Sequence, residues 1–319
     1  MAFNYVKQKD EGIISKIPND YRQTFRYPFS VTSVSKNSVI KMKMDGTLTE
    51  RDIKIVHFLF KHTFATALQI QKFFGGEDNY QSIKNRLEKL VQYRLINVFS
   101  LGELETERIE PDAMLIYCLD FGGKYIVSHF TNEDTSDWFS SVNIQGSENV
   151  ARDLMITDFY LQLMDSIPDR VEHFKKNPPM RAGGSNIVPA FEFSYKFGFE
   201  KKYVVGEVVR TGEAYIQFKD KIQKAEPLFT TQAWKKYYVD VEMPPILIVM
   251  AEDDYTALDA GIVVTNGTEV ERFVLTTSER IQQQFGEKGA FLRFVKPVPG
   301  TAKDKPMLAQ TAIADFKAE

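Results

Sequence analysis

The chain has 319 residues, of which 43% are apolar and 26% are charged, and its formal net charge is −3 at neutral pH. This length predicts about two domains, and the apolar fraction is ordinary for a globular protein. No apolar run approaches the roughly 20 residues that cross a bilayer, and the polar N-terminus lacks a signal-peptide segment, so the sequence predicts a cytoplasmic protein with no membrane partner.

Residues 1–47 are predicted as an extended arm or leader, because Pro18 and Pro28 interrupt them and the polar run that follows alternates only weakly. Lys36, Lys41 and Lys43 lie in that run. These cations could follow a phosphate backbone. The alternative, a solvated leader that packs partly on the first helix, remains open.

Residues 48–99 contain three helical patterns followed by an alternating β pattern. Thr49 and Asp52 resemble a capping box at the start of the first helix, and Asp78 or Asn79 is placed to cap the third. The apolar positions that recur at helical spacing are Ile53, Val56, Leu59 and Phe60 in the first helix, Ala67, Leu68, Ile70, Phe73 and Phe74 in the second, and Ile83, Leu87, Leu90 and Val91 in the third.

The outward face of the third helix carries amide, hydroxyl and cationic groups, the types that pair with base edges and phosphates. Strands follow over residues 95–101 and 113–119, so residues 48–130 are predicted to form a winged helix-turn-helix that binds double-stranded DNA. The candidates for base or groove contacts are Asn79, Tyr80, Gln81, Ser82, Lys84 and Asn85, and those for phosphate contacts are Arg86, Lys89 and Arg94.

Charge is distributed unevenly along the chain. Residues 1–100 carry 16 Lys and Arg against nine Asp and Glu, whereas the remaining residues carry 24 against 34. A basic N-terminal part joined to an acidic remainder suits a nucleic-acid-binding module on a body that does not bind the backbone.

The tip of the predicted hairpin opposes this interpretation. It carries Glu103, Glu105, Glu107 and Glu110 but only Arg108 as a cation. A wing that lies against phosphates would favour cations, because affinity grows with the number of cation–phosphate contacts. Either the wing points away from DNA or the domain binds protein instead, and both alternatives remain open.

Residues 131–149 are polar and are predicted as a linker. An amphipathic helix follows and ends at Pro168, after which strands alternate with helices. This alternation predicts a mixed α/β sheet over residues 150–296, and the charged, proline-containing residues 297–319 are predicted as a tail. The fold class is therefore α+β.

The order of these features resembles the replication-relaxation family, which is encoded on plasmids and integrative elements of Gram-positive bacteria. The matching motifs are a winged helix, an amphipathic helix, a strand that ends in Pro189-Ala190, and a strand that contains Glu207 and ends in Arg210. The resemblance covers roughly residues 49–99 and 149–251. It implies that the second domain has the restriction-endonuclease-like fold of PD-(D/E)xK nucleases.

Nuclease chemistry of that type needs three groups. An Asp on one strand and an acid on the next hold a divalent metal, and a Lys two residues beyond orients the attacking water. Ala190 stands at the position of the Asp and Val209 at that of the Lys, so only Glu207 remains. The candidates to replace the missing groups are Glu192 for the acid and Lys219 or Lys221 for the cation.

Other possible sites have weaker support. His57 and His62 are five residues apart rather than the three or four that share a helix face for a metal. Gly183-Gly184-Ser185 lacks the lysine of a phosphate-binding loop. Cys118 lies in an apolar strand, which predicts a buried structural thiol in a reducing compartment.

The sequence thus predicts a non-enzymatic DNA-binding accessory or regulatory protein of a plasmid or other mobile genetic element, acting in replication, transfer or transcription control. It is expected to be a homodimer, to need no cofactor, and to recruit replication or conjugation proteins through its second, inactive nuclease-like domain. The alternatives are a Mg²⁺-dependent DNA nuclease with a divergent site and a protein-binding winged-helix scaffold.

Overall fold

The computed structural model describes residues 3–29, 34–76, 78–297, 300 and 305–313. These residues form helices and several sheets, which confirms the mixed α+β class. The chain divides into two compact units, Met1–Thr157 and Asp158–Glu319. Within the described ranges, no helix combines the length and the apolar character that a membrane crossing requires.

The first unit contains five complete helices and four strands in its described part. The helices are α1 (Lys36–Met44), α2 (Glu50–His62), α3 (Ala67–Phe73), α4 (Tyr80–Gln92) and α5 (Phe121–Phe130), with short 3-10 helices at Gln8–Asp10, Ile14–Lys16 and Ser140–Asn143. The strands are β1 (Arg22–Phe25), β2 (Phe64–Thr66), β3 (Ile96–Gly102) and β4 (Ile116–Leu119). A further helix, α6 (Ser147–Ser166), contains the division between the units.

The four strands form one antiparallel sheet in the order β1-β3-β4-β2. The strands β3 and β4 pair directly over Ile96–Phe99, with Val98 opposite Tyr117. Both strands are buried along their whole length. Along the chain, α2 is followed by β2, then by α3 and α4, and then by the β3–β4 hairpin.

The predicted capping box of α2 is confirmed. The Thr49 side chain accepts a hydrogen bond from the Asp52 backbone N–H, and the Asp52 carboxylate accepts one from the Thr49 N–H at 2.7 Å. These contacts satisfy backbone donors that every helix start leaves without a partner inside the helix. The predicted core positions Ile53, Val56 and Leu59 are buried.

The N-terminal residues predicted as an arm or leader are part of the first unit. Backbone bonds join Val6 N–H to Leu101 O at 3.0 Å and Met114 N–H to Val6 O at 2.8 Å, so this segment lies between the ends of the hairpin strands. β1 and α1 also fall within residues 1–47. The pairing was not predictable locally, because the partner strands lie about a hundred residues further along the chain.

The second unit contains the end of α6, two further helices and nine strands in its described part. The helices are α7 (Glu213–Thr230) and α8 (Asp254–Gly267), with 3-10 helices at Gln232–Lys236 and Arg280–Gln282. The strands are β5 (Val171–Lys176), β6 (Met180–Ala182), β7 (Ser185–Ile187), β8 (Phe191–Phe197), β9 (Glu200–Val209), β10 (Ile246–Ala251), β11 (Phe273–Thr277), β12 (Phe291–Val295) and β13 (Met307–Thr311).

Seven of these strands form a mixed sheet in the order β13-β12-β11-β10-β9-β8-β5, and β6 and β7 form a separate hairpin. The central strands β9, β10 and β11 are parallel, and α7 and α8 connect them in turn. On the α7 side, Phe218 and Ile222 pack in one buried cluster with Val205. On the opposite side, the Phe159 ring of α6 stacks on Phe191 with centroids 4.6 Å apart.

Two predicted boundaries fall inside folded structure. Residues 131–149, predicted as a linker, belong to the first unit, where buried Asn143 donates its amide to Leu119 O at 2.8 Å. The predicted tail contains β13, which pairs antiparallel with β12. The sequence did not indicate this folding, because neither segment has a strong apolar period. A single anchor such as Asn143 holds the first segment, and a half-exposed strand holds the second.

Gly123 lies in the first turn of α5, where the helix approaches the sheet closely. A Cβ at this position would lie 2.2 Å from Leu95 O and 2.4 Å from Leu119 Cδ1. We expect Gly123→Ala to lower the free energy of unfolding of the first unit by about 2 kcal/mol, because overpacking forces neighbouring groups apart. Urea unfolding measures the change. Gly146→Ala is the control, since nothing lies within 4 Å of that Cβ, and equal losses in both variants would contradict the expectation.

Candidate nucleic-acid interface

The helix α4 has a defined start and a buried stripe. The Asn79 Oδ1 accepts hydrogen bonds from the backbone N–H groups of Gln81 and Ser82, at 2.8 and 3.4 Å, so Asn79 is the N-cap. The predicted stripe of Ile83, Leu87, Leu90 and Val91 is buried. This burial turns the polar side of α4 outward.

The outward side of α4 carries Gln81, Ser82, Asn85, Lys89 and Gln92, all of which are exposed. Gln81, Asn85 and Gln92 follow a single line along the helix, because residues four, seven and eleven apart return to nearly the same direction at 3.6 residues per turn. The Gln81 Nε2 donates to Asn85 Oδ1 at 2.9 Å. Lys84 is half-exposed beside this line, with its Nζ 5.7 Å from the centroid of the Tyr80 ring.

Arg86, a predicted phosphate contact, is instead bound inside the first unit. Its Nε donates to Asp52 Oδ1 at 2.6 Å, its Nη2 donates to Asp52 Oδ2, and Nη2 also donates to Thr47 O at 3.0 Å. The Asp52 side chain is 1% exposed. Burial acts to raise the pKa of Asp52, but the hydrogen bonds from Arg86 and Thr49 outweigh it and lower that pKa.

Arg94 is held in a second internal ion pair. Its Nε donates to Asp120 Oδ2 at 2.6 Å, and its guanidinium lies 4.8 Å from the centroid of the Tyr27 ring. Asp120 is fully buried and its Oδ1 accepts from the Phe121 N–H at the start of α5. Arg94 therefore joins the end of α4 to the start of α5.

Tyr80 is the third predicted contact residue that the fold uses internally. Its hydroxyl donates to Glu11 Oε2 and accepts from Gln8 Nε2 at 3.0 Å. Glu11 also accepts from the Leu68 backbone N–H at 2.8 Å, so one buried carboxylate holds the starts of α3 and α4. Burial, and next the hydrogen bond to Glu11, raise the pKa of Tyr80 above its usual value.

The structure thus separates the nine predicted DNA contacts into two groups. The residues exposed on α4 or beside its exposed line are Gln81, Ser82, Lys84, Asn85 and Lys89. The residues with contacts inside the first unit are Asn79, Tyr80, Arg86 and Arg94. The capping role of Asn79 was predictable locally, but those of Tyr80, Arg86 and Arg94 were not. Their partners Glu11, Asp52 and Asp120 are distant along the chain.

The acidic hairpin tip is tied to the N-terminal segment. Glu103 accepts from the backbone N–H and the side-chain amide of Asn4, at 3.1 and 2.7 Å. The Tyr5 hydroxyl donates to Asp112, and Lys7 Nζ lies 3.9 Å from the same carboxylate. The hydrogen bonds from Asn4 lower the pKa of Glu103. Part of the acidic charge therefore serves to hold the N-terminal segment in the sheet.

One ion pair that involves α4, between Glu88 and Arg26, was absent from the predicted contacts. The Glu88 Oε2 lies 2.5 Å from Arg26 Nη1, and Gln92 Nε2 donates to Glu88 Oε1 at 3.4 Å. The side chains of Glu88 and Arg26 are 45% and 29% exposed. Arg26 directly follows β1, and its position beside α4 depends on the sheet rather than on any local signal.

The cations of α1 differ in their surroundings. Lys36 and Lys41 are exposed, whereas Lys43 forms an ion pair with Glu50 at the start of α2. All three lie on a regular helix and not on an extended arm.

In the second unit, the predicted acids lie on adjacent strands. Ala190 donates its N–H to Gly206 O at 2.9 Å, which places it beside Glu207. Glu192 pairs with Val205, two residues before Glu207, so Glu192 and Glu207 point to the same face of the sheet. The Tyr238 hydroxyl donates to Glu192 Oε2 at 2.8 Å.

The cation of the predicted nuclease site is not brought to these acids by α7. Val209, at the position of the required Lys, is fully buried in the cluster that contains Phe218. Lys219 and Lys221 are exposed on α7, whose buried residues face the sheet. Glu207 itself is buried.

The two histidines and the cysteine considered as other possible sites are placed by the fold of the first unit. His57 Nε2 lies 3.1 Å from Glu133 Oε1, and His62 is buried. Cys118 is buried, as predicted, and this burial raises the pKa of its thiol. In the part of the chain that the structure describes, no three His, Cys, Asp or Glu side chains group as metal ligands would.

Comparisons of this chain with protein-family models, with curated proteins and with solved structures find no match. The resemblance to the replication-relaxation family therefore stays a prediction from short sequence motifs.

Proposed function

We propose that the first unit is a winged helix-turn-helix that binds double-stranded DNA through α4, and that the protein acts without catalysis. The order α2, β2, α3, α4 and then the β3–β4 hairpin supports this proposal, as does the pairing of β2 with the second hairpin strand. In this fold the last helix before the hairpin is the one that enters the major groove.

The exposed face of α4 is the observation that carries the proposal. It presents Gln81, Asn85 and Lys89, whose amide and ammonium groups match adenine and guanine edges in the major groove. Among the described residues, neither Lys84 nor Lys89 forms an ion pair, so both ammonium groups can contact phosphates. The major groove is wide enough to admit such a helix.

Protein binding is the competing function for the same domain. The exposed Glu105 and Glu107 of the hairpin favour it, because acids at a wing tip repel phosphates. Under the DNA-binding proposal, this tip does not follow the backbone and α4 makes most of the contact. The DNA-binding proposal therefore predicts that removing the α4 cations weakens DNA binding, whereas the protein-binding function predicts that it has no effect on DNA.

A role as an accessory or regulatory protein of a plasmid or other mobile element follows from the family resemblance. We propose a homodimer that reads two half-sites about one helical turn of DNA apart, as helix-turn-helix dimers do. The second unit would then recruit replication or conjugation proteins.

DNA footprinting on the segments that flank the protein's own gene tests the proposal. We expect protection of a site of two half-sites and retardation of the same fragment in a gel. Equal retardation of unrelated fragments at every salt concentration would argue against sequence-specific binding. A lack of retardation even at low salt would contradict DNA binding altogether.

We propose that the second unit does not cleave DNA. The buried Val209 and the exposed Lys219 support this, since a water-activating cation belongs beside the metal-binding acid. We expect supercoiled plasmid to stay intact with Mg²⁺ or Mn²⁺ present. Nicking or linearisation that disappears in Glu207→Gln would instead assign a nuclease, and nicking that persists in Glu207→Gln would indicate a contaminant.

A further inference from the structure

Glu88 is a partly exposed acid on the same line of α4 as Gln81, Asn85 and Gln92. It lies three residues after Asn85 and four before Gln92, both of which are exposed on that line. The side chain is 45% exposed, and Gln92 Nε2 donates to its Oε1 at 3.4 Å. A carboxylate acceptor is therefore presented among the amide groups of the proposed DNA-binding face.

An unpaired carboxylate here would weaken binding to DNA, because it would face the phosphate charge. Arg26 removes this obstacle, since its Nη1 lies 2.5 Å from Glu88 Oε2. Arg26 is fixed in turn, because its backbone N–H donates to Val98 O at 2.9 Å beside β1. The sheet thus holds one oxygen of Glu88 and leaves the other directed along α4.

We infer that Glu88, held by Arg26, is a specificity-determining residue that accepts a hydrogen bond from the amino group of a cytosine in the major groove. The inference rests on the proposed function and names the base chemistry that this face selects. A carboxylate can accept from cytosine N4, whereas it has no donor for the acceptor edges of guanine. Arg26 is a positioning residue in this arrangement, because it acts through Glu88.

Selection of binding sites from a random double-stranded DNA library tests the inference. We expect the parent protein to favour a C·G pair at one position of its site. Glu88→Gln should lose that preference by about 10-fold and favour adenine there, since an amide pairs with adenine N6 and N7. Unchanged base preferences in Glu88→Gln would overturn the inference.

Arg26→Gln separates positioning from base reading. We expect it to reduce the preference for cytosine without creating one for adenine, because Glu88 is no longer held in place, and to weaken binding to all sequences, because the charge of Glu88 is no longer balanced. A preference for cytosine that stays unchanged in Arg26→Gln would contradict the positioning role. Glu105→Gln on the exposed hairpin tip is the matched control and should select the same sites as the parent. A thermal melt of each variant verifies folding.

The outcomes also separate this inference from the proposed function. Library selection by the parent without enrichment at any C·G position overturns the role of Glu88 but leaves DNA binding intact. A parent protein that retains no DNA at low salt overturns both. Enrichment that changes in Glu88→Gln but not in the control Glu105→Gln supports both.

Discussion

Arg86→Ala is expected to lower the free energy of unfolding of the first unit by about 3 kcal/mol at neutral pH. The substitution leaves the Asp52 carboxylate, whose side chain is 1% exposed, without its cation. Breaking a buried ion pair in this way is costly, because the remaining charge has been removed from water without compensation. Urea unfolding monitored by tryptophan fluorescence measures the loss, with Trp138 located in the first unit and Trp234 in the second.

The effect of Arg86→Ala should depend on pH in one direction. The folded state lowers the pKa of Asp52, so the ionised carboxylate contributes stability above its unfolded pKa of about 3.9. That contribution disappears as the pH falls through the folded pKa. The difference between parent and variant should therefore shrink on acidification, and a difference that grows would contradict the assignment of the pair.

Lys89→Ala is the matched control for Arg86→Ala on the same helix. Its side chain is exposed, so we expect a change in the free energy of unfolding within about 0.5 kcal/mol. If Arg86→Ala were equally mild and instead abolished DNA binding, Arg86 would be a DNA contact rather than a structural residue.

The triple variant Lys84→Ala/Asn85→Ala/Lys89→Ala is expected to lose at least about 100-fold in affinity for DNA. Each lost base or phosphate contact removes on the order of 1 kcal/mol, and three together exceed two decades. The three side chains lie outside the buried stripe of α4, so the thermal unfolding midpoint should change little. Titration of labelled DNA, measured by fluorescence anisotropy, gives the affinity.

The helix α1 provides a control of identical composition. Lys36→Ala/Asn37→Ala/Lys41→Ala removes the same three residue types from exposed positions of the same unit. We expect this variant to lose less affinity than the α4 variant, because Lys36 and Lys41 are candidates for phosphate contacts only, whereas the α4 variant also loses the base contact of Asn85. Equal losses in the two triple variants would show that α4 has no special role and that charge alone drives binding.

Local signals in the sequence predicted the parts of the fold that depend on local chemistry. The capping box at Thr49 and the buried stripe of α4 are examples, since both follow from residues three or four apart. The mixed sheet of the second unit was likewise predicted from strands that alternate with helices. The exposed side of α4 followed from its buried side.

Long-range pairing was beyond such signals. Arg86, Arg94 and Tyr80 carry groups suited to DNA, yet each binds a carboxylate from a distant part of the chain. The insertion of the N-terminal segment between the ends of β3 and β4 has the same origin. A side chain that suits two partners cannot be assigned until the fold shows which of them is near.

The dependence of DNA affinity on salt tests the role of α4 most directly. Each cation–phosphate contact contributes about −0.9 to the slope of log affinity against log salt. We predict a linear fall for the parent protein and a slope shallower by about two units in the Lys84→Ala/Asn85→Ala/Lys89→Ala variant, which lacks two cations. An affinity of the parent that does not change with salt, or equal slopes for parent and variant, would contradict DNA binding through α4.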